Sequence, residues 1–346
     1  MQIVRIAMLG SGFVADFYMQ GLADVAGQEV ATVYNPNRSS AEKFAAKWQI
    51  VHFSDNLAET IARDDINLYL LAIPNHVHAE IAVKLARAGR NQVCTKPLAR
   101  SAEEARQMLE AVEDAGVMHG YAETEVFAPA VVRAERLVRA GTVGRVLWVR
   151  SRESHFGPHS PWFWQPELAG GGALMDMGCH CIEAARFFFG KDDPPVEVMA
   201  WGDTLLHETT GEDNALAIIR FQSGGIAHLE VSWSSRGGLD LRNEIHGSEG
   251  VIFTDLTRGT SVEAFTLRPS GYVVEKADAD QGWTKPVPEE AFTYGYQAEM
   301  KHFVECIRNG TPPRETYRDG YVVNCVLDAA YRSMHTRTWQ PIPPQS

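Results

Sequence analysis

Three groups of residues in this chain of 346 have types and spacings that could carry out hydride and proton transfer. They are Gly10-Ser11-Gly12-Phe13-Val14-Ala15 near the start, Lys96-Pro97 further on, and Asp176-Met177-Gly178-Cys179-His180 near the middle. The first could bind the phosphates of a dinucleotide, and the other two could handle the proton that accompanies a hydride transfer. Each group is a weak signal alone, but together they predict a nucleotide site and an acid-base site.

The glycine-rich segment stands where a buried strand meets a helix. The apolar run 3–9 before it is typical of a strand covered on both faces, and a helical pattern begins directly after it. In such a unit Gly10 allows a tight turn and Gly12 lets a pyrophosphate approach the backbone, while the helix N-terminus attracts the phosphates. The predicted cofactor-binding residues here are Gly10, Gly12, Phe13 and Val14.

The next apolar run, 29–34, ends where folds of this kind recognise the cofactor ribose. Asn35 stands there, at a position where an Asp or Glu would accept hydrogen bonds from the ribose hydroxyls and repel a 2'-phosphate. Arg38 could hold a 2'-phosphate, or it could be a solvated charge at a helix start. We predict NAD as the cofactor, contacted by Asn35 and Arg38, and leave NADP open.

Strand and helix patterns alternate as far as residue 122, which indicates a parallel, doubly wound α/β sheet. Strands are predicted at 67–73, 92–95 and 117–121, and helices at 75–88 and 101–115. Ligands bind beyond the carboxyl ends of such strands. Two segments at this edge add five predicted cofactor-binding residues, Pro74, Asn75, His78, Thr95 and Lys96. Taken alone, a histidine such as His78 is more typical of a structural role.

After a helix predicted at 126–140, the pattern changes to long alternating runs separated by glycine-rich turns. This alternation predicts a mostly antiparallel sheet with one face packed on helices. The runs cover residues 145–155, 196–206, 214–221, 226–234 and 241–246.

Two helices, predicted at 296–309 and 319–335, precede an extended, proline-rich tail. The whole pattern predicts a dinucleotide-binding domain at 1–122 and a sheet domain for substrate binding and oligomerisation at 123–293. The C-terminal helices and tail, 294–346, are expected to pack back on the body.

Composition narrows the class of protein. The net charge of -12 argues against nucleic acid or an anionic membrane as a partner. Five cysteines without the spacing of a disulfide framework fit a reducing compartment. No apolar stretch is long enough to span a bilayer, and the first strand leaves no room for a signal peptide after Met1. We therefore expect a cytoplasmic protein.

The combination of motifs resembles the Gfo/Idh/MocA family, which includes glucose-fructose oxidoreductase and inositol dehydrogenases, over essentially the whole chain. The resemblance rests on segment 10–15, Pro74-Asn75-His76-Val77-His78, Thr95-Lys96-Pro97-Leu98, segment 170–180 and Gly247-Ser248-Glu249-Gly250. It implies an N-terminal Rossmann domain joined to an open-faced, predominantly antiparallel α+β sheet domain. It also implies that the open face packs subunit on subunit, giving a homodimer or homotetramer.

The mechanism that the resemblance implies agrees with what these residues could do unaided. Asp176 and His180 stand four residues apart, so on a helix they share one face. His180 suits the base that accepts the hydroxyl proton, because its ordinary pKa lies near neutrality. Asp176 would orient it or bind an adjacent hydroxyl, and Lys96 would stabilise charge on the reacting oxygen. The predicted catalytic residues are Lys96, Asp176 and His180.

Two departures from the family pattern affect the site. Thr95 stands where the family commonly has Glu, so the negative charge usually found beside Lys96 is missing. Segment 121–125, which contains Glu123 and Glu125, replaces an Arg-containing pattern that helps choose the substrate. The family's substrates therefore cannot be carried over to this chain.

Local chemistry favours a carbohydrate or cyclitol substrate. Glu153 and His155 alternate on one face of a strand, and the loop 156–164 supplies aromatic rings that could cover a sugar or simply pack the domain junction. The predicted substrate-binding residues are Glu123, Glu153, His155, Trp162, Trp164, Asp176 and His180. The Glu, His and Asp side chains would suit Zn or Mn, but their spacing matches no known ligand motif, so no metal is predicted.

Three classes of function follow. The first is an NAD(P)-dependent dehydrogenase that acts on a secondary hydroxyl of a sugar, sugar derivative or cyclitol. The second is a redox-assisted glycosidase that uses bound NAD transiently through a keto-sugar intermediate. The third is a non-catalytic nucleotide-binding sensor, which the presence of Lys96, Asp176 and His180 disfavours. We expect the first.

Overall fold

The computed structural model describes most of the chain, namely residues 3–257, 262–287 and 289–344. The chain divides into two compact units. The first comprises residues 1–123 and 296–321, and the second comprises residues 124–295 and 322–346. Among the described residues, no helix has both the length and the apolar character needed to cross a membrane.

A parallel sheet of six strands forms the centre of the first unit. Its strands are β1 (Val4–Leu9), β2 (Gln28–Tyr34), β3 (His52–Ser54), β4 (Leu68–Leu71), β5 (Gln92–Thr95) and β6 (His119–Ala122). They are ordered β3-β2-β1-β4-β5-β6, and every neighbouring pair is parallel. The predicted doubly wound sheet is confirmed. The sequence pattern missed β3 because this strand has three residues and none of them is fully buried.

Helices cover both faces of this sheet, as a doubly wound fold requires. They are α1 (Phe13–Leu22), α2 (Arg38–Trp48), α3 (Leu57–Ala62), α4 (His78–Arg87) and α5 (Ala102–Ala115). The side chains of Asn37, Asn56 and Ser101 accept a hydrogen bond from the backbone N–H three residues further on. These N-caps set where α2, α3 and α5 begin.

The second unit contains a sheet of seven strands and a separate sheet of two strands. Its strands are β7 (Val146–Ser154), β8 (Pro195–Asp203), β9 (Asn214–Phe221), β10 (Ile226–Ser232), β11 (Asp240–Gly247), β12 (Val251–Asp255), β13 (Ala264–Thr266), β14 (Gly282–Thr284) and β15 (Gln340–Pro341). The large sheet has the order β12-β11-β7-β10-β9-β8-β15. Its pairs are antiparallel except β10 with β7, so the predicted, predominantly antiparallel sheet is confirmed.

The two faces of this sheet differ in burial. On β7, Val149 and Ser151 are buried while Arg150 is exposed, and the same alternation runs along β9 and β10. The buried face packs on helices, chiefly α8 (Cys179–Phe189), which follows α6 (Pro129–Arg139) and α7 (Pro166–Ala169) in the chain. A period of two residues therefore decides which side chains of each strand reach the interior.

The chain closes with α9 (Glu290–Thr293), α10 (Tyr296–Asn309) and α11 (Tyr317–Thr336). Helix α10 belongs to the first unit, where the Tyr296 ring stacks on Phe17 of α1 with centroids 4.7 Å apart. Gly21 allows this approach, because a Cβ there would lie 2.7 Å from the carbonyl oxygen of Tyr296. Helix α11 contains the boundary between the two units, at residue 321.

Candidate active site

The glycine turn after β1 has the shape that a dinucleotide requires. Gly10 has a φ of 105°, and a Cβ on it would lie 2.0 Å from the carbonyl oxygen of Ala72, so only glycine fits. Gly12 is different, because a Cβ on it would meet no described atom within 4 Å. It stands at the N-cap of α1, directly before Phe13 and Val14. The open space at a helix N-terminus fits the pyrophosphate of NAD.

The end of β2 is tied to this turn. Asn35 Nδ2 donates to Ser11 Oγ at 2.8 Å, and its Oδ1 accepts from the backbone N–H of Asn37 at 2.8 Å. Arg38 is mostly exposed, lies over the Phe53 ring and pairs with Asp55 at 3.2 Å. An exposed guanidinium can exchange one anionic partner for another, so the pair with Asp55 is compatible with binding of a 2'-phosphate by Arg38.

The loops after β4 and β5 contain the other predicted cofactor-binding residues. Asn75 and Thr95 are buried, whereas Lys96 is half-exposed between Thr95 and the buried Pro97. His78 is fully buried beneath these loops, with Nε2 2.8 Å from the carbonyl oxygen of Ile73. Lys96 therefore offers its side chain at this edge of the sheet, while His78 supports the loops from below. Pro74 precedes the short turn Asn75–Val77.

Asp176 and His180 lie in a buried segment of the second unit. Asp176 belongs to a π-helical turn, Leu174–Gly178, and His180 lies at the start of α8. Their exposed fractions are 3% and 9%. Single π-helical turns are frequent at functional sites. Trp233 Nε1 donates to Asp176 Oδ2 at 3.0 Å, so one oxygen of this carboxylate is held by a neutral donor.

The glycines before this turn have a packing role. A Cβ on Gly172 would lie 2.0 Å from the carbonyl oxygen of Glu212, so the backbone approaches that residue closely. The Glu212 carboxylate accepts from the backbone N–H groups of Gly172 and Leu174. These hydrogen bonds fix the start of the π-helical turn and thereby the position of Asp176.

Two glutamates lie beside His180. Glu125, Glu153 and His180 each offer a polar atom, and these three atoms lie within 4.8 Å of one another. All three residues are buried, and Asn243 Nδ2 donates to Glu125 Oε1 at 2.7 Å. Glu125 was not among the predicted site residues, although its segment stood out as a departure from the family pattern. Two carboxylates and an imidazole can form hydrogen bonds with the hydroxyl groups of a substrate. The same side chains could also bind a metal ion, so the absence of a metal stays a prediction.

His155 follows β7 and lies near Asp176. It is 3% exposed, and no described residue gives its Nδ1 a hydrogen bond. Burial lowers the pKa of His155 to about 4, so the ring is neutral at pH 7. Its ring centroid lies 5.2 Å from that of His159, whose Nε2 is 2.5 Å from Glu275 Oε1. A neutral imidazole with an unused nitrogen suits a substrate hydroxyl.

Glu275 and Lys276 join this region without having been foreseen. Burial raises the pKa of Glu275, but the hydrogen bond from His159 and the electrostatic interactions with His159, His155 and Lys276 together outweigh it, so the net pKa is lowered. Burial lowers the pKa of Lys276, whose Nζ donates to the carbonyl oxygen of Pro158 at 2.8 Å. Neither residue belongs to a sequence motif, so the sequence gives no signal for them. In the structure, the segment is distinguished by the positive φ of 58° at Lys276.

The aromatic loop, residues 156–164, contributes to packing through Trp164. Trp164 lies edge-on to Trp233, with centroids 5.3 Å apart, and also contacts His207. Trp162 stacks on Phe163 at 3.8 Å and stays half-exposed. Trp164, half-exposed like Trp162, thus takes part in the packing around Trp233. Glu123, the last predicted site residue, is fully buried at the end of the first unit.

A doubly wound sheet with a glycine turn, together with a buried Asp and His in a second sheet unit, fits an NAD(P)-dependent oxidoreductase. Comparison with known families agrees: residues 4–122 match an oxidoreductase family with an NAD-binding Rossmann fold, and residues 131–253 match the GFO/IDH/MocA C-terminal domain. The chain belongs to the Gfo/Idh/MocA family.

Similar proteins share nearly the whole length. The crystal structure of GenD2 from gentamicin A biosynthesis, in complex with NAD, is 31% identical with a TM-score of 0.94, covering 99% of this chain and 97% of that one. Levoglucosan dehydrogenase of Pseudarthrobacter phenanthrenivorans is 27% identical over 99% of both chains. The NAD(+)-dependent scyllo-inositol 2-dehydrogenase of Bacillus subtilis is 27% identical, covering 92% of this chain and 90% of its own.

These findings confirm the resemblance, the NAD(P) cofactor and the dehydrogenase class. The protein is an oxidoreductase acting on CH–OH groups. The named relatives support this class, and they support neither the transiently oxidising glycosidase nor the sensor.

Proposed function

We propose that this protein oxidises a secondary hydroxyl of a sugar, sugar derivative or cyclitol with NAD, using Lys96, Asp176 and His180 as catalytic residues. The main support is the buried neighbourhood of His180 in the second unit, where Glu125 and Glu153 converge on the imidazole. Named relatives act on levoglucosan and scyllo-inositol, both polyhydroxylated rings. Carboxylates beside a base suit such a ring, because each carboxylate oxygen can accept from a hydroxyl.

Each residue has a defined task in this proposal. His180 accepts the proton of the reacting hydroxyl, which typically contributes about 100- to 10,000-fold in rate. Asp176, whose Oδ2 accepts from Trp233, orients His180 or binds an adjacent hydroxyl. Lys96 stabilises negative charge on the reacting oxygen. NAD, when bound, supplies the acceptor for the hydride.

Binding of the two ligands involves the remaining predicted residues. For the substrate these are Glu123, Glu153, His155, Trp162 and Trp164, to which the structure adds Glu125. For NAD they are Gly10, Gly12, Phe13, Val14, Asn35, Arg38, Pro74, Asn75, His78, Thr95 and Lys96, with His78 acting through the loops that it supports. The open space at Gly12 and the half-exposed Lys96 are the observations in favour of the cofactor set.

Absorbance of the reduced nicotinamide, measured with NAD or NADP across sugars, cyclitols and glycosides, tests the proposal. We expect reduced cofactor to accumulate with a polyol, and His180→Asn to lower kcat by at least about 100-fold. His335→Asn, on the exposed end of α11, is the matched control and should change nothing. Glycoside cleavage without reduced cofactor would contradict the proposal.

We also propose that the open sheet face joins two copies of the chain. The apolar side chains Trp148, Trp201, Leu216 and Phe253 are exposed on the strands of this sheet, beside a polar cavity of about 160 Å³ that includes Arg152. Side chains of this size are usually covered when they cluster. Light scattering should give a dimer or tetramer, and Trp148→Glu should shift the mass towards the monomer.

We infer a cytoplasmic, reducing location from the cysteines. All five are buried in this fold, and none forms a disulfide. The net charge of -12 supports a small-molecule partner over nucleic acid or membrane. Cell fractionation with an antibody to the native protein checks the compartment.

A further inference from the structure

The indole of Trp233 contacts the carboxylate of Asp176, a proposed catalytic residue, and is held in place by contacts of its backbone and its ring. Trp233 follows β10 directly and is 0% exposed. Its backbone N–H donates to the carbonyl oxygen of Asp213 at 2.7 Å, and its own carbonyl oxygen accepts from the backbone N–H of Gly157 at 2.8 Å. His207 Nε2 lies 3.0 Å from the same oxygen. The backbone of Trp233 is therefore fixed at both of its polar groups.

The ring of Trp233 is fixed as well. Trp164 packs against it at 69° with centroids 5.3 Å apart, and Phe163 packs at 81° with centroids 6.5 Å apart. These edge-to-face contacts are favourable for aromatic pairs. With ring and backbone held, the indole N–H points at Asp176 Oδ2, 3.0 Å away.

Other titratable groups lie around Asp176 in this unit. His155 is neutral at pH 7, because burial lowers its pKa to about 4. Lys276 interacts with Asp176 electrostatically, but its Nζ donates to Pro158. His180, one turn further on, is the proposed base, with Glu125 and Glu153 beside it. An uncharged N–H donor favours the ionised carboxylate without adding a charge that would compete for the substrate.

We propose that Trp233 is a positioning residue, whose indole N–H fixes the rotation of the Asp176 carboxylate and favours its ionised form. The inference rests on the proposed role of Asp176. It deepens that role, because it names the group that orients the carboxylate. Trp233 is outside every motif that marks the family in this sequence.

The variant Trp233→Phe removes the N–H and keeps an aromatic ring. A hydrogen bond to a charged group contributes about 1.5–3 kcal/mol, so kcat/KM should fall about 10- to 100-fold, mostly through kcat. Without the donor the carboxylate protonates more readily, so the acidic limb of the pH profile of kcat/KM should move to higher pH. A merely structural role would lower activity equally at every pH.

Trp48→Phe is the matched control. Trp48 Nε1 donates to Asp16 Oδ1 at 2.7 Å in the first unit, so the same bond is lost away from the acid-base pair, and the pH profile should not move. Asp176→Asn separates the two proposals. If it retains full turnover, the role of Asp176 is wrong; if it is inactive while Trp233→Phe keeps the wild-type pH profile, the role of Trp233 is wrong.

A spectroscopic measurement tests the inference even if Trp233→Phe folds poorly. In the wild-type protein with ¹⁵N-labelled tryptophan, we expect one indole N–H resonance to titrate at the midpoint of the acidic limb. The same resonance should shift in Asp176→Asn and lose its pH dependence. If no indole resonance responds either to pH in this range or to Asp176→Asn, Trp233 does not sense this carboxylate and the proposal fails.

Discussion

The Nδ1 atom of His78 lies 3.1 Å from the carbonyl oxygen of Leu98, so the loop that begins the fourth helix is tied to the loop that contains Lys96. The Nε2 atom of the same ring lies 2.8 Å from the carbonyl oxygen of Ile73. Burial lowers the pKa of His78, so the ring is neutral near pH 7 and its single N–H donates to the carbonyl group on one side only. A histidine placed among the cofactor residues thus joins the two loops that border the cofactor site.

Replacing His78 with Phe removes both contacts at similar volume. We expect the free energy of unfolding to fall by about 1–3 kcal/mol, because a buried carbonyl group loses its hydrogen-bond donor. The KM for NAD should rise, since both loops are loosened. Denaturant unfolding and initial rates check this, with His52→Phe as the control, because His52 is exposed. An unchanged KM for NAD in a destabilised variant would contradict the link to the cofactor.

The two glycines of the turn should respond differently to alanine. Gly10→Ala places a Cβ 2.0 Å from a carbonyl oxygen at a φ of 105°. We expect it to lower the free energy of unfolding by about 4 kcal/mol, which is among the largest effects of single substitutions. Gly12→Ala meets no described atom within 4 Å and should fold normally. It should still weaken NAD binding by about 10-fold or more, since a pyrophosphate must approach this backbone.

Thermal unfolding and NAD titration by calorimetry distinguish the two glycine variants. If Gly12→Ala binds NAD as the wild type does, the pyrophosphate does not lie at this turn. If Gly10→Ala unfolds at the wild-type temperature, the backbone relaxes more than the close approach to Ala72 suggests.

The substitution Asn35→Asp should make the protein more selective for NAD over NADP. Asp can keep the bond from the backbone N–H of Asn37 and can accept from the Ser11 hydroxyl, so the loop should keep its shape. Its charge would repel a 2'-phosphate. We expect kcat/KM with NADP to fall by about 10-fold or more, while kcat/KM with NAD stays within a factor of about 3.

Arg38→Gln completes this test. If Arg38 holds a 2'-phosphate, activity with NADP falls in this variant as well. If the guanidinium only pairs with Asp55, the ratio of the two activities stays constant. A rise in NADP activity in Asn35→Asp would show that the ribose is not recognised at the end of β2.

The predictable parts of this protein have local signals. The glycine turn at Gly10, the strands around it and the helix Tyr296–Asn309 follow from periodicity and turn chemistry within short windows. The short strand His52–Ser54 has no apolar run of its own, so nothing in its sequence distinguishes it from a loop. Strand pairing with β2 places it in the sheet, and pairing is not visible in one segment.

The missed site residues depend on contacts between distant segments. Trp233 lies 57 residues from Asp176 in sequence and meets it only because the end of β10 reaches the π-helical turn. Glu125 and Glu153 belong to different segments and converge on His180 in the folded unit. The types of these residues allow many roles, so only the fold selects one.

Acid should destabilise the fold through His155 in particular. Its pKa is about 4 in the folded protein against an ordinary value of 6.5, so the unfolded chain takes up a proton at a higher pH than the folded one. The stability that the neutral, buried ring provides is therefore complete above pH 6.5 and is lost as the pH falls from 6.5 towards 4. Each pKa unit corresponds to about 1.4 kcal/mol, so the loss attributable to His155 is about 3 kcal/mol.

The free energy of unfolding should therefore decline between pH 6.5 and pH 4 in urea titrations, and His155→Gln should make the decline shallower, because Gln cannot take up the proton. His246→Gln is the matched control, since His246 is half-exposed on the open sheet face and should leave the slope unchanged. Equal slopes for wild type and His155→Gln would mean that the ring is already protonated in the folded state. In that case His155 would meet the substrate as a cation, and the KM of a neutral polyol should rise as the ring loses its proton.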